Sequence, residues 1–337
     1  MTQRGGAERV VLAILRAFPG AEVHTTFYNP QTTYPEFGDY KVHVSSANRV
    51  ALLRTDPRRA LPILAGLSSR MKIDADVVIA SSSGWAHAFP TTGARIVYCH
   101  SPARWLYESA DYLGDAPRLS PKRVALKALK KPLLSWDRKA AVGADTYFAN
   151  ARVIQERIHR AYGRESELLG PPTTFPTEGS IEPVNALSDW GAGGFTLLVS
   201  RLMAYKNVDK AIEAVRGTNR RLVVVGFGPE RERLRALLPN NARIVSDLSE
   251  AQLRWCYRHA TLLLAPSRED FGLTPLEANR FGIPTVALRA GGYLDTVQEG
   301  VSGEYFDDVF PDQIRAALDR ADERVAAQCG GGQRCAV

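Results

Sequence analysis

The feature that most narrows the folds open to this chain is an alternation that runs from one end to the other. Short runs crowded with Val, Ile and Leu give way to longer stretches of helical spacing. The runs lie at Asp76–Ala80, Arg95–Cys99, Thr146–Ala149, Thr196–Ser200, Arg221–Val225, Thr261–Ala265 and Thr285–Leu288. They lack the polar alternation of a strand with one wet face, as strands covered on both faces do. Helical segments, among them Val208–Arg216, Glu230–Leu238 and Glu250–His259, stand between them. Parallel strands need connections of that length, so the pattern predicts an α/β chain of doubly wound, Rossmann-like parallel sheets.

With 337 residues the chain is longer than one hydrophobic core supports, and two domains are expected. Pro and Gly crowd the stretch Leu169–Gly194 and break both periodicities. This predicts an N-terminal domain over 1–170, a linker over 171–194, a C-terminal domain over 195–326 and a disordered tail over 327–337. The expected ligand site is a cleft between the domains. Gly5-Gly6 opens a helix at Arg9–Phe18 with no strand ahead of it, so the first strand of the N-terminal sheet is expected to be absent.

Hydrophobic residues make up 45% and charged residues 23% of the chain, which excludes wholesale disorder. No apolar run reaches the roughly 20 residues of a spanning helix and no signal-peptide core is present, so a cytoplasmic location is expected. Cys99, Cys256, Cys329 and Cys335 are scattered without a Cys-x-x-Cys pair, as in a protein with reduced thiols. The net charge of +7 suits anionic ligands such as phosphates or anionic lipid. No nucleic-acid partner is expected, because charge alone would favour one.

Several segments carry residue types suited to a phosphate and sugar site. In Ser267-Arg268-Glu269-Asp270-Phe271-Gly272-Leu273-Thr274-Pro275-Leu276-Glu277, Glu269 follows an apolar run and Glu277 stands on the helix beyond it. Both carboxylates are then near the carboxyl end of a parallel strand, where open α/β sheets bind ligands. Gly272 lets the backbone approach a ligand closely. Thr274-Pro275-Leu276-Glu277 also spells a capping box, with Thr274 as N-cap and Glu277 at N3. Capping and ligand binding both remain open for Glu277, and a solvated loop acid remains the plain alternative for Glu269. Arg201 and Lys206, five positions apart after another apolar run, make a clamp for a diphosphate or a solvated basic loop. Gly226-Phe227-Gly228 lacks the third glycine of a dinucleotide fingerprint and reads as a tight strand-to-helix turn.

In the N-terminal half, His100 follows the run Arg95–Cys99, and Pro102 stops that strand. It is a candidate for proton transfer or for binding a sugar hydroxyl, with a structural role as the alternative; His87 is a weaker candidate of the same kind. Asp74-Ala75-Asp76 spells a metal-binding Asp-x-Asp, but it leads straight into a buried strand. Residues 121–131 form a basic helix with Arg123, Lys127 and Lys130 on one face, suited to an anionic membrane or simply to water.

Taken together, these segments resemble the retaining glycosyltransferase family 4, in its mannosyltransferase-like branch. Gly5-Gly6-Ala7-Glu8-Arg9-Val10 is similar to the family's glycine-rich loop and first helix. Tyr98-Cys99-His100-Ser101-Pro102 with Arg104 and Trp105 resembles its His-x-Pro segment. Arg201 and Lys206 match its basic pair, Glu269 and Glu277 its Glu-x7-Glu motif, and Ala290-Gly291-Gly292 with Asp295 its late Gly-Gly segment.

The resemblance implies the GT-B fold, with two Rossmann-like domains facing a cleft. It also implies retaining transfer of a hexosyl group, leaning towards mannosyl from GDP-mannose, to a saccharide or lipid-linked acceptor. Gly5, Gly6, Arg201, Lys206, Glu269, Phe271, Gly272, Leu273 and Glu277 would bind the donor. His100, Glu269, Arg201 and Lys206 would serve the chemistry, with no cofactor and no tightly bound metal. A nucleotide-sugar 2-epimerase on the same scaffold and a non-catalytic donor-binding relative are the competing expectations.

Overall fold

The computed structural model describes residues 1–108, 121–173, 175–190 and 194–328, which fall into two units, Met1–Pro172 and Thr173–Val337. The first unit opens with a helix, Gly6–Ala17, that starts three residues earlier than its apolar spacing suggests. Gly5 is its N-cap, and the N–H of Arg9 bonds the Gly5 carbonyl at 3.1 Å. The short strands β1 (Val23–Thr25) and β2 (Val42–Val44) pair in parallel. A four-stranded parallel sheet then runs β3 (Val77–Ser82), β4 (Ala94–Cys99), β5 (Thr146–Ala149) and β6 (Glu167–Leu168), in that spatial order. The three runs expected as strands in this half all form. No helix among the described residues is long and apolar enough to cross a membrane.

The second unit holds a six-stranded, all-parallel sheet. Its strands are β7 (Phe195–Val199), β8 (Leu222–Val225), β9 (Ala242–Val245), β10 (Ala260–Ala265), β11 (Thr285–Leu288) and β12 (Gly303–Phe306). Their spatial order is β12-β11-β10-β7-β8-β9. The cause of the unbroken apolar runs is visible in how consecutive residues divide. Leu198, Leu222, Val224, Leu262, Leu264 and Val286 pack on one face, with the helices Val208–Val215 and Pro311–Gln328. Leu197, Val223, Val225, Val245 and Leu263 pack on the other, with Cys256, Tyr257 and Ala278. Side chains alternate across the sheet, yet both faces are covered by helices, so apolar residues run on without polar alternation.

Two boundaries differ from expectation. Phe175, Val184, Leu187 and Trp190, inside the stretch read as linker, join the second unit's core. Pro and Gly there break the periodicity without freeing the chain. Near the other end, the helix Pro311–Gln328 runs two residues into the stretch expected to be a disordered tail, and residues 329–337 lie outside those described.

Candidate active site

The sheet of the second unit changes winding direction at β7. The chain steps from β7 to β8 and β9 on one side, then crosses back so that β10 lies on the other side of β7. Connections leaving neighbouring strands in opposite directions open a crevice at their carboxyl ends, and ligands of such sheets bind there. The loops that leave β7 and β10 are those carrying Arg201, Lys206 and Glu269.

These loops are tied together. Asn207, held in the left-handed region at φ 54°, donates from Nδ2 to the Pro266 carbonyl at 3.0 Å and so pins the β7 loop to the β10 loop. The Lys206 ammonium forms an ion pair with Glu269 Oε1. It also lies 5.1 Å from the centre of the Tyr205 ring, whose hydroxyl accepts from Arg201 Nη2 at 3.2 Å. Ser267 Oγ donates to the same Glu269 oxygen at 2.6 Å. Lys206 is only 8% exposed, so its charge is costly to leave unmatched, and Glu269 matches it.

The β11 loop braces this arrangement. The N–H of Gly292 bonds the Glu269 carbonyl at 2.9 Å, and a Cβ on Gly291 would come within 2.2 Å of that same oxygen. Only glycines allow the two loops to approach this closely. Tyr293, fully desolvated and beside Glu269, has its hydroxyl pKa raised well above the usual tyrosine value, so it stays a neutral partner for Ser267 at 3.4 Å.

Glu277 does not sit in the capping box its sequence spells. The helix starts at Leu273 with Gly272 as N-cap, at φ 87°, and no side chain caps it. Gly272 can make this left-handed turn against the Tyr293 ring because it lacks a Cβ, which would lie 2.5 Å from that ring. Glu277 is thus a full turn inside the helix, buried, and accepts a hydrogen bond from the Tyr257 hydroxyl at 2.8 Å. A buried carboxylate held by a buried hydroxyl is an oriented acceptor, and a helix that begins at the crevice brings N–H groups to it. Gly226 and Gly228 have a packing role instead: a Cβ on Gly226 would come 1.8 Å from the Ser200 carbonyl oxygen, so this turn is what lets the β8 loop seat the β7 loop.

The remaining candidates belong to the first unit. His100 follows β4, with its Nε2 hydrogen-bonded to Ser81 Oγ at 2.8 Å and its ring edge-on to Tyr98. Gly5 and Gly6 begin the first helix, whose first-turn Glu8 crowds Gly5. His87 is structural: it is 1% exposed, with Nε2 3.0 Å from Asp137 Oδ1 and Nδ1 3.3 Å from Ser82 Oγ. Asp74 accepts from Thr92 Oγ1 at 2.8 Å, which ties the segment ahead of β3 to the one ahead of β4. The basic face at 121–131 lies on the helix Pro121–Val142, and the side chains of residues 121–128 are outside those described.

Tyr257, Ser267 and Tyr293 were given no role by the sequence. Ser267 carried a local signal, two positions ahead of Glu269. Tyr257 carried none, because its contact with Glu277 joins two helices twenty residues apart.

Comparisons with known proteins place both halves of the chain among glycosyltransferases. Residues 4–169 match the family described as Glycosyltransferase Family 4, and residues 192–324 match Glycosyl transferases group 1. A glycogen synthase of Pseudomonas syringae pv. syringae is 30% identical over 196 residues, covering 56% of this chain and 36% of that protein. One from Xanthomonas euvesicatoria is 29% identical over 196 residues, covering 56% of this chain and 35% of that protein. The match therefore spans about a third of the length of these relatives.

Among solved structures, Anabaena Alr3699/HepE in complex with UDP superposes with a TM-score of 0.69 at 17% identity, over 97% of this chain and 89% of that one. Sucrose-phosphate synthase of Thermosynechococcus elongatus gives 0.58 at 19% identity, over 95% and 82%. Both are likenesses of fold. With the matches at both halves and the parallel α/β architecture expected of the GT-B fold, the chain belongs to glycosyltransferase family 4.

Proposed function

We propose that the chain is a retaining glycosyltransferase that moves a hexosyl group from a nucleoside-diphosphate sugar to a saccharide acceptor. The observation that carries this reading is the pairing of Lys206 with Glu269 across the β7–β10 switch point, beside the N-terminus of the Glu277 helix. In this reading Arg201 and Lys206 take the diphosphate and offset the charge that builds on it as the glycosidic bond breaks. Glu269 holds Lys206 in place before the donor arrives and then contacts the donor sugar. Glu277, oriented by Tyr257, binds the ribose hydroxyls, and the backbone at Phe271, Gly272 and Leu273 lies along the donor. The sequence resemblance implies that the Gly5 and Gly6 amides would serve phosphate and that His100 would serve sugar hydroxyls.

The sugar and base are the finer part of the proposal. GDP-mannose is the donor implied by the sequence resemblance, whereas UDP-glucose is named as bound in a solved neighbour of similar fold. A thermal-shift panel of GDP-mannose, UDP-glucose and ADP-glucose separates them, because a selective ligand raises the melting temperature by mass action. The preferred donor is then supplied with short oligosaccharides, and the product's anomeric proton signal is compared with the donor's. Retained configuration is expected. Conversion of the donor sugar without any acceptor would instead favour the 2-epimerase, and no shift with any sugar nucleotide would overturn the donor site.

A further inference from the structure

Three ligating side chains gather on the β1–β2 pair of the first unit, among residues that no role above uses. Glu22 and His24 are two positions apart, so the strand pleat directs both to one face. The ladder continues through Glu22's neighbour, since the N–H of Val23 bonds the Lys41 carbonyl at 2.9 Å. His24 and His43 are registered directly opposite each other, and their rings stack at 4.4 Å with 10° between planes. Glu22 Oε2 lies 2.7 Å from His43 Nε2. One ligand atom from each of the three lies within 4.8 Å of the others. Glu22 is exposed and both histidines are partly exposed, so an ion has direct access from solvent.

We propose that Glu22, His24 and His43 bind a zinc ion at the protein surface. Two imidazole nitrogens and one carboxylate oxygen form a ligand set suited to borderline divalent ions, and water takes the fourth position. Calcium and magnesium favour all-oxygen sites and fit this set poorly. Zinc bonds of about 2.0–2.1 Å to nitrogen and oxygen place tetrahedral ligand atoms roughly 3.3 Å apart. The present spacing of up to 4.8 Å closes to this by side-chain adjustment on the order of an ångström, with rotation of the stacked rings. Lys41 Nζ holds the other carboxylate oxygen of Glu22 at 2.7 Å, which orients the carboxylate while leaving Oε2 towards the imidazoles. Bound zinc would tie β1 to β2 through side chains of both strands.

The test uses the whole chain, freed of metal with a chelator and titrated with zinc chloride in a calorimeter. Saturable binding is expected in the wild type, and His24→Ala and His43→Ala should each weaken it by at least about tenfold. Glu22→Gln, which changes charge with almost no change of shape, should weaken it as well. Cobalt(II) offered in place of zinc should give visible absorption bands in the wild type that the double histidine variant lacks. Melting curves of the metal-free variants that match the wild type show that the fold is kept. Zinc binding that is absent, or equal in the wild type and the double variant, would overturn the site.

Discussion

At Glu277 two roles for one side chain separate. Its spacing from Thr274 fits a cap, but the helix begins at Leu273 and the carboxylate is buried against the Tyr257 hydroxyl. Glu277→Gln keeps an oxygen to accept that hydroxyl while removing the charge that would bind ribose hydroxyls. It is expected to melt near the wild type and to bind donor poorly. Tyr257→Phe takes the donor away from a buried acid and should lower stability by about 1–3 kcal/mol. Thermal melts and donor titrations of both variants check this pair, and a large stability loss in Glu277→Gln with full donor affinity would return Glu277 to a structural role. Type and spacing single out Arg201, Lys206, Glu269 and Glu277 as candidates, and the structure pairs Lys206 with Glu269. Their other partners were not legible, because Tyr257 and Tyr293 reach the site only through tertiary packing, which leaves no local period in the sequence.

The loops between elements depend on glycines whose necessity is steric. A Cβ on Gly292 would lie 2.3 Å from Phe271 Cα and 2.4 Å from the Phe271 carbonyl oxygen, both backbone atoms that cannot rotate away. Gly292→Ala should therefore push the β10 and β11 loops apart, cost more than about 1 kcal/mol and weaken donor binding through Glu269. Gly66, inside the helix Leu61–Ser68 with nothing within 4 Å, is the opposite case. Gly66→Ala should stabilise by about 0.5–1 kcal/mol, since alanine loses less backbone entropy in a helix. Denaturant melts that give both changes the same sign would contradict this account of the loops.

Strands were legible wherever both faces are apolar, and all seven expected runs form. β12 was missed because Glu304, in its middle, is buried and matched by Arg324, so a charged residue interrupts the run. β9 was missed because Arg243 turns outward to a paired contact with Asp189. β1 and β2, three residues each and centred on histidine, carry no apolar run to read.

For the molecule as a whole, falling pH removes stability where acids are held by guanidinium groups. Arg289 donates to both oxygens of Glu299, at 2.6 and 2.9 Å, and this bonding lowers the Glu299 pKa from its ordinary 4.5. A carboxyl depressed in the folded state adds stability above its unfolded pKa and loses it as pH falls through the folded value. The gap in melting temperature between wild type and Arg289→Gln should thus be largest near neutrality and close as the pH falls below 4.5. A gap that stays constant down to about pH 3 would mean that the pair adds no charge-dependent stability.

The two-unit division and the all-parallel second sheet place the central claim on one crevice, where Lys206 waits against Glu269. The measurement that tests it most directly is calorimetric titration of the preferred nucleoside-diphosphate sugar into the wild type and Lys206→Ala. Losing a charge-assisted contact of about 1.5–3 kcal/mol should raise the dissociation constant by about tenfold to a hundredfold. An unchanged dissociation constant in a folded Lys206→Ala protein would contradict the donor site described here.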